Sequence, residues 1–389
     1  MSEVRVNNLS NESLSGGPTI SGITTFSSPY FFVPPQGDTA SRPSDCEPGS
    51  LRFNTDSAKL EYFRGNTIGW TEIEAELTEP LGAAASGVGH RGIIVGGGSP
   101  GMTSDMEFHN ISTFGSATDF GDLYSADRNM GNGQAGNSTR MVLLCGDKPG
   151  PSIHGDISSI TIATGGSSDS GNNMTVARRL AGQFSNSTRA CAAGGYEPFS
   201  NVIDFTTISS LSAGADFGDL NFSGGSNSQG YFITGSSSTT RGILIKGANS
   251  AGTTKNAINF VTISTTGDAV EFGDAQASGQ SLGAVNNSTR IVIAEGGAPS
   301  VVNTISFITT ATTGNAVDYG DLIGTNRRDG AGTSSPTRGI FSCGYDTSNF
   351  HDEQDAIQLA TTGNSVDFGD AANGNRFRCG MGSSGHGGL

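Results

Sequence analysis

The chain has 389 residues, 34% hydrophobic and only 15% charged, with 59 glycines, 13 prolines and no glycine period of three, which excludes collagen and favours many short strands joined by tight turns. A formal net charge of −15 repels phosphates and argues against nucleic-acid binding. Five scattered cysteines (Cys46, Cys145, Cys191, Cys343 and Cys379) without CxxC spacing argue against a disulfide framework or a zinc site, and no apolar run is long enough for a membrane-spanning helix.

Residues 1–32 are polar and serine-rich, and read as an extended docking arm that orders on binding. Their start, MSEVRVNNLSNESLSGG, lacks the apolar core of a signal peptide, so synthesis and folding in a cytoplasm are expected. Residues 33–80 read as a small β-hairpin module. Leu51 and Phe53 alternate, NTDSAK turns, Leu60 and Tyr62 alternate again, and Trp70 and Ile73 close an aromatic cluster. One hairpin is too small to fold well alone, which predicts a partner chain or self-association.

The same stretch carries three sequence elements. Pro35, Gly37, Thr39, Ala40, Arg42 and Pro43 fill the first; Gly49, Arg52, Phe53, Asn54, Thr55 and Asp56 the second; Tyr62, Gly65, Trp70 and Ile73 the third. Together they resemble a module recurrent in fibre and other virion proteins of tailed phages. The preceding ISGITTFSSPYFFVPP is similar to the approach arm of that module in marine cyanophage structural proteins. The resemblance implies a virion component made in a bacterial host cytoplasm, docked to other virion proteins through residues 1–80. Fibre modules often trimerise, which makes a homotrimer the assembly to test.

From residue 81 to residue 389 the chain repeats. Arg91, Arg140, Arg189, Arg241, Arg290 and Arg338 each open a short apolar run, at intervals of 49, 49, 52, 49 and 48 residues. A second marker alternates with them: DFGD at 119–122 and 216–219, EFGD at 271–274, DYGD at 318–321, DFGD at 367–370, and a decayed DSGN at 169–172. Each unit reads as four strands: one before the arginine, the apolar run, an alternating β-branched strand such as NAINFVTIS at 256–264, and a short one ending in the acidic marker. One such sheet cannot bury both faces alone, whereas six packed around an axis can. The period and glycine placement resemble the kelch or galactose-oxidase-like propeller repeat, although the usual blade tryptophan is missing. The expected fold is therefore all-β: a six-bladed kelch-like β-propeller of four-stranded blades behind an N-terminal arm and hairpin module. A strand like the first of every unit occurs at both 82–89 and 376–386; the C-terminal copy is expected to complete the N-terminal blade beside Gly92–Val95.

The recurring residues are the candidate structural positions. The six arginines are expected to contact a carboxylate or turn carbonyls of their own or an adjacent blade. Asp122, Asp219, Asp274, Asp321 and Asp370 are the first candidates, followed by Asp119, Asp216, Glu271, Asp318 and Asp367. The marker aromatic is expected to pack between blades. Two carboxylates per unit are too few for a calcium site by themselves. DFG also marks kinases, but no glycine loop, strand lysine or HRD loop accompanies it. The Asn-Ser-Thr triplets at Asn137, Asn186 and Asn287 match a glycosylation pattern and read instead as turns. His90, His109, His154, His351 and His386 show no metal spacing. No catalytic, cofactor or metal residues are assigned. A polysaccharide depolymerase should gather acids and aromatic platforms in one unit, and the single Trp lies outside the repeat. The reading is a non-enzymatic virion protein: a tail fibre or other adhesin presenting its propeller outward to a host surface glycan or receptor, or else a capsid, neck or baseplate decoration.

Overall fold

The computed structural model describes residues 34–44, 46–57, 59–73, 90–98, 101–127, 132–150, 152–222, 230–249, 251–297 and 300–389. The docking arm and the first-strand copy at 82–89 lie outside these. The chain divides into two compact units, Met1–Leu77 and Thr78–Leu389. Both are all-β; among the described residues there is no helix.

The first unit is a four-stranded sheet in chain order, β1 (Gln36–Gly37), β2 (Leu51–Asn54), β3 (Lys59–Phe63) and β4 (Trp70–Ile73), with β1 parallel to β2 and the rest antiparallel. The expected hairpin is thus only its middle. The PQG segment adds a strand because Phe53 N donates to Pro35 O at 2.8 Å and Thr55 N to Gly37 O at 3.0 Å. The interior is ionic as well as aromatic. Fully buried Glu61 accepts from Arg42 at 2.6 Å and Asn54 at 3.2 Å and pairs with Arg52 at 3.5 Å, while Trp70 Nε1 donates to Pro43 O at 2.9 Å. The motif residues Arg42, Pro43, Arg52, Asn54 and Trp70 are therefore one contact set, centred on a glutamate that the motif reading passed over.

The second unit contains six sheets among the described residues. β5 (Arg91–Val95), β6 (Thr103–Asn110) and β7 (Thr118–Asp127) belong to the first, and β8 (Arg140–Lys148), β9 (Ser152–Thr161) and β10 (Ser167–Asn173) form the second. The third is β11 (Gly182–Ser185), β12 (Arg189–Ala193), β13 (Val202–Thr207) and β14 (Ala215–Asp219). The fourth has β15 (Gly230–Tyr231) and β16 (Thr234–Ser237) both on β17 (Arg241–Asn249), then β18 (Thr254–Thr262) and β19 (Val270–Asp274). The fifth is β20 (Gly283–Asn286), β21 (Arg290–Gly296), β22 (Val302–Thr309) and β23 (Val317–Asp321), and the sixth β24 (Ala331–Ser334), β25 (Arg338–Tyr345), β26 (Phe350–Gln358) and β27 (Val366–Asp370). β28 (Gly380–Ser383) returns to the first sheet and pairs antiparallel with β5, Gly380 opposite Val95 and Ser383 opposite Gly92. The C-terminal strand thus completes the N-terminal sheet.

Each repeat arginine is the first residue of a strand buried behind it, and in five of the sheets that strand lies between a short first strand and the alternating third. The apolar cores lie between sheets. Phe217 and Leu220 of the third sheet pack with Leu244, Ile263 and Ala269 of the fourth, and Ile258 and Phe272 of the fourth with Ile291, Ile308 and Ala316 of the fifth. The second sheet lacks a regular first strand. In its place residues 132–136 make single bridges, Asn132 to Gly182 and Thr234 and Gln134 to Met381. Gly133 allows this: at φ +134° it lies so close to the main chain of Gln183 and Gly235 that no Cβ fits.

Candidate ligand-binding site

The six repeat arginines form one set of contacts. Arg91 Nη1 donates to Ile162 O at 2.9 Å, Arg140 to Ile208 O at 2.8 Å, Arg189 to Ile263 O at 2.8 Å, Arg241 to Thr310 O at 2.8 Å, Arg290 to Leu359 O at 2.9 Å, and Arg338 to Ile111 O at 2.9 Å. Each bond runs from one sheet to the next in the chain, and the last runs from the sixth sheet to the first. Five of the guanidinium groups also lie over a phenylalanine at 4.3–4.5 Å or 4.6 Å: Phe108, Phe205, Phe260 and Phe307 on the arginine's own third strand, and Phe114 for Arg338. At the third-strand position where four sheets have phenylalanine, the second has Ser159 and the sixth Ala356. The partners are therefore carbonyls of the adjacent sheet, and the marker acids placed first among the candidates are not among these donors' acceptors.

The reason is alternation. The marker aromatic faces the sheet interface with the arginine, so the acid before it faces away. A bulge at the marker glycine then turns the last acid outward: Gly218, Gly273, Gly320 and Gly369 have φ between +138° and +155°. Asp122, Asp219 and Asp370 are exposed and Asp274 and Asp321 half-buried. What the marker contributes is main chain. Gly267 N donates to Phe217 O at 2.7 Å and Ala269 N to Asp219 O at 2.8 Å, with the same pattern at Phe272 and Asp274, at Tyr319 and Asp321, and at Phe368 and Asp370, whose partners Gly115 and Ala117 are in the first sheet. In the decayed copy, Asn172 reaches Leu211 O through its amide at 2.9 Å. Phe217, Phe272, Tyr319 and Phe368 are buried between sheets.

A second arginine set escaped the repeat reading. Arg178, Arg327 and Arg376 are buried and hold acids on their own sheet's third strand: Asp204, Asp355 at 2.6 Å with Glu353 at 2.8 Å, and Glu107. The pairing is legible within the repeat. In the fourth and fifth sheets the acid's place is taken by Asn259 and Ser306, and the arginine's by Gly230 and Gly279.

The Asn-Ser-Thr triplets are turns. Asn137, Asn186 and Asn287 accept from the main-chain N–H of Arg140, Arg189 and Arg290 at 2.8–2.9 Å, and Ser384 does the same for Arg91 at 3.1 Å from the far end of the chain. The last residues continue into the space where the first strands converge. Gly387 N donates to Asn286 Oδ1 at 3.1 Å, and buried His386 approaches Gly136 O at 3.3 Å. Burial lowers the pKa of His386 to about 4 and that of His109, bound to Thr333 at 2.8 Å, to about 3.

At the starts of the first strands a pocket opens, lined by residues of all six sheets, including Asn132, Leu180, Phe232, Gln280, Asp329 and Arg378. Leu180, Phe232, Asp329 and Arg378 each stand two residues before a first strand and share φ between 55° and 58°. The backbone repeats while the side chains differ. Asp329 pairs with Arg378 at 3.3 Å, and the Gln280 amide, its nitrogen toward Asp329, donates to both carboxylate oxygens at 3.1 Å. Burial raises the Asp329 pKa, and Arg378 opposes that rise. From this mouth a band of half-buried rings extends. Phe199, Tyr196, Tyr231 and Phe232 follow one another at centroid spacings of 4.9, 5.2 and 4.9 Å; the Arg378 guanidinium lies 4.9 Å from both Phe232 and Phe377; and Phe377 stacks on Phe350 at 4.7 Å. Aromatic platforms are therefore present, built from Tyr and Phe on several sheets rather than from tryptophan in one.

Among the described residues no group of three or more His, Cys, Asp or Glu is placed to hold a metal ion, and no helix is long and apolar enough to cross a membrane. The five cysteines are unbridged; Cys145 and Cys343 fill equivalent bulge positions at φ 65° and 61°, where Gly96 and Gly194 stand in other sheets. No protein-family model matches the chain, and no curated protein matches its sequence.

Proposed function

We propose that the six sheets are the blades of one six-bladed, kelch-like β-propeller, and that the chain is a non-enzymatic virion protein of a tailed phage. In this reading it is a tail fibre or other surface adhesin docked through residues 1–80. The observation that carries the propeller is cyclic order: arginine-to-carbonyl bonds link each sheet to the next and the sixth to the first, and β28 from the C-terminus completes the sheet of β5. The virion assignment rests on the N-terminal motif, whose residues form one contact set around Glu61. The adhesive role rests on an aromatic-rimmed mouth whose Asp329, Arg378 and Gln280 are paired with one another.

Mass spectrometry and labelling of purified particles from the source phage test this reading. The full chain is expected on intact particles, while a chain beginning at residue 82 should fold as a soluble monomer and fail to join them. Absence of the protein from particles, or incorporation of the truncated chain, overturns it.

A further inference from the structure

We propose that the pocket mouth and its aromatic band bind a neutral oligosaccharide, the rings of Tyr196, Tyr231 and Phe232 stacking on sugar C–H faces and Arg378, Gln280 and Asn132 meeting hydroxyls. This deepens the adhesive reading and rests on it.

Three observations converge. First, the band is continuous: each ring or guanidinium from Phe199 to Phe350 lies 4.7–5.2 Å from the next. Half-buried Phe and Tyr gathered on one surface offer an apolar track with hydroxyl tips. Second, backbone strain collects here. Leu180, Phe232, Asp329 and Arg378 are non-glycine residues in the left-handed region, each at a cost of about 1 kcal/mol or more, and such strain clusters at ligand sites. The strained position is kept in four sheets while its side chain changes from aliphatic to aromatic, acid and cation.

Third, charge decides the ligand class. Arg378 is offset by Asp329, and Arg179, stacked 5.2 Å from Tyr196, is offset by Asp147 at 2.8 Å and Glu197 at 3.0 Å. Each of these two guanidinium groups is thus held by an acid, and the chain's net charge of −15 disfavours acidic sugars, phosphates and the nucleic acids that also stack on aromatic rings. A pyranose fits what remains. It offers an apolar C–H face to a ring and a row of hydroxyls to planar amide, carboxylate and guanidinium groups.

The test uses the full chain on a printed array of neutral glucan, mannan and galactan oligosaccharides beside sulfated and sialylated ones and a proline-rich peptide, followed by titration of the best binder. Saturable binding to a neutral oligosaccharide is expected, weakened about tenfold or more by Tyr231→Ala. Tyr196→Leu, which keeps apolar bulk without the ring, serves as a second variant should Tyr231→Ala unfold. Tyr124→Ala, at a 70% exposed tyrosine outside the band, should leave affinity unchanged. The inference is overturned by failure of every neutral saccharide to bind, by undiminished affinity in the folded band variants, or by a preference for the acidic sugars or the peptide. Particle incorporation is read separately, so a chain found on virions that binds no saccharide leaves the structural role standing and removes this one.

Discussion

Where the first strands converge, side chains reach across the unit. Gln134 donates to Ser334 at 2.8 Å and accepts from Ser383 at 2.8 Å, Ser334 donates to Asn286 at 2.8 Å, and the chain ends among them with His386, Gly387 and Gly388 buried. At the fourth strands the opposite holds: main chain crosses between sheets, and the marker acids face outward. The inner region combines small residues, polar networks and uncharged histidines in a space without slack. The outer region repeats one main-chain clasp and tolerates side-chain decay, as DSGN at 169–172 demonstrates. Substitutions should therefore be costly at the inner region and at the buried ion pairs beside it, and cheap at the outer acids.

Removing residues 376–389 tests this contrast most severely. It deletes β28, leaves β5 as an open edge, removes Arg376 from the buried Glu107, and empties the inner region of its tail. Loss of the cooperative calorimetric transition is expected. An unchanged thermal midpoint would show that the C-terminal strand is not a structural member of the first sheet.

Next in size is Arg327→Met. It leaves Asp355, only 3% exposed, and Glu353 without their cation, which should cost about 3–5 kcal/mol in urea unfolding. The double variant Arg327→Met with Asp355→Asn should recover much of that loss, because the fourth sheet has Asn259 and Gly230 in the places of the acid and the arginine. If the double variant is the weaker of the two, the acid has a role independent of the arginine.

Acid should then separate the two regions. His386 and His109 have folded pKa values of about 4 and about 3, below the unfolded value near 6.5, so protonation favours the unfolded chain. Their contribution is fully present above pH 6.5 and declines as pH falls toward 4, by on the order of 3 kcal/mol for each buried ring. Asp346, held low by the main-chain N–H groups of Asn349 and Ser348, acts only at lower pH because its unfolded value lies near 3.8. Midpoints measured between pH 6.5 and 5 therefore contain the histidines' decline, and His386→Gln should flatten that limb. A limb that His386→Gln leaves as steep means that His386 is hydrated and titrates normally.

These contrasts also mark what the sequence could disclose. Period, strand order and the closing strand were legible because every unit needs the same backbone, and backbone demands recur as Arg, Gly and aromatic residues at fixed spacing. The arginine's acceptor was not legible, because a carbonyl has no side-chain signature; charge complementarity pointed instead to the nearest recurring acids. The buried Arg178, Arg327 and Arg376 pairs were recoverable by comparing units, since arginine and acid are present or absent together in five of the sheets. The aromatic band was hidden for the reverse reason: Tyr196, Tyr231 and Phe377 belong to what the repeat leaves out, and only the fold brings them together. In the first unit, a motif reading that matched Arg42, Arg52 and Asn54 passed over Glu61, the group they surround.

The smallest effects sharpen the comparison at the sheet interfaces. Arg290→Ala removes the bond to Leu359 O and the stack on Phe307 at 4.3 Å, together about 1.5–2.5 kcal/mol for a half-buried guanidinium. Arg140→Ala should cost less, about 1 kcal/mol, because it donates to Ile208 O at 2.8 Å but has Ser159 in place of the ring. Asp321→Asn should change urea stability by less than about 0.5 kcal/mol. Its contribution to the interface is main chain, accepting from Ser365 N at 2.9 Å and donating to Asn364 Oδ1 at 3.0 Å, and an asparagine keeps both bonds. The order Arg290, Arg140, Asp321 follows only if carbonyl and ring, not carboxylate, are what the arginine holds. Should Asp321→Asn destabilise as much as Arg290→Ala, the acid and the arginine communicate after all. A cycle of Arg290→Ala with Phe307→Leu should then show no coupling, where stacking requires about 0.5–1 kcal/mol.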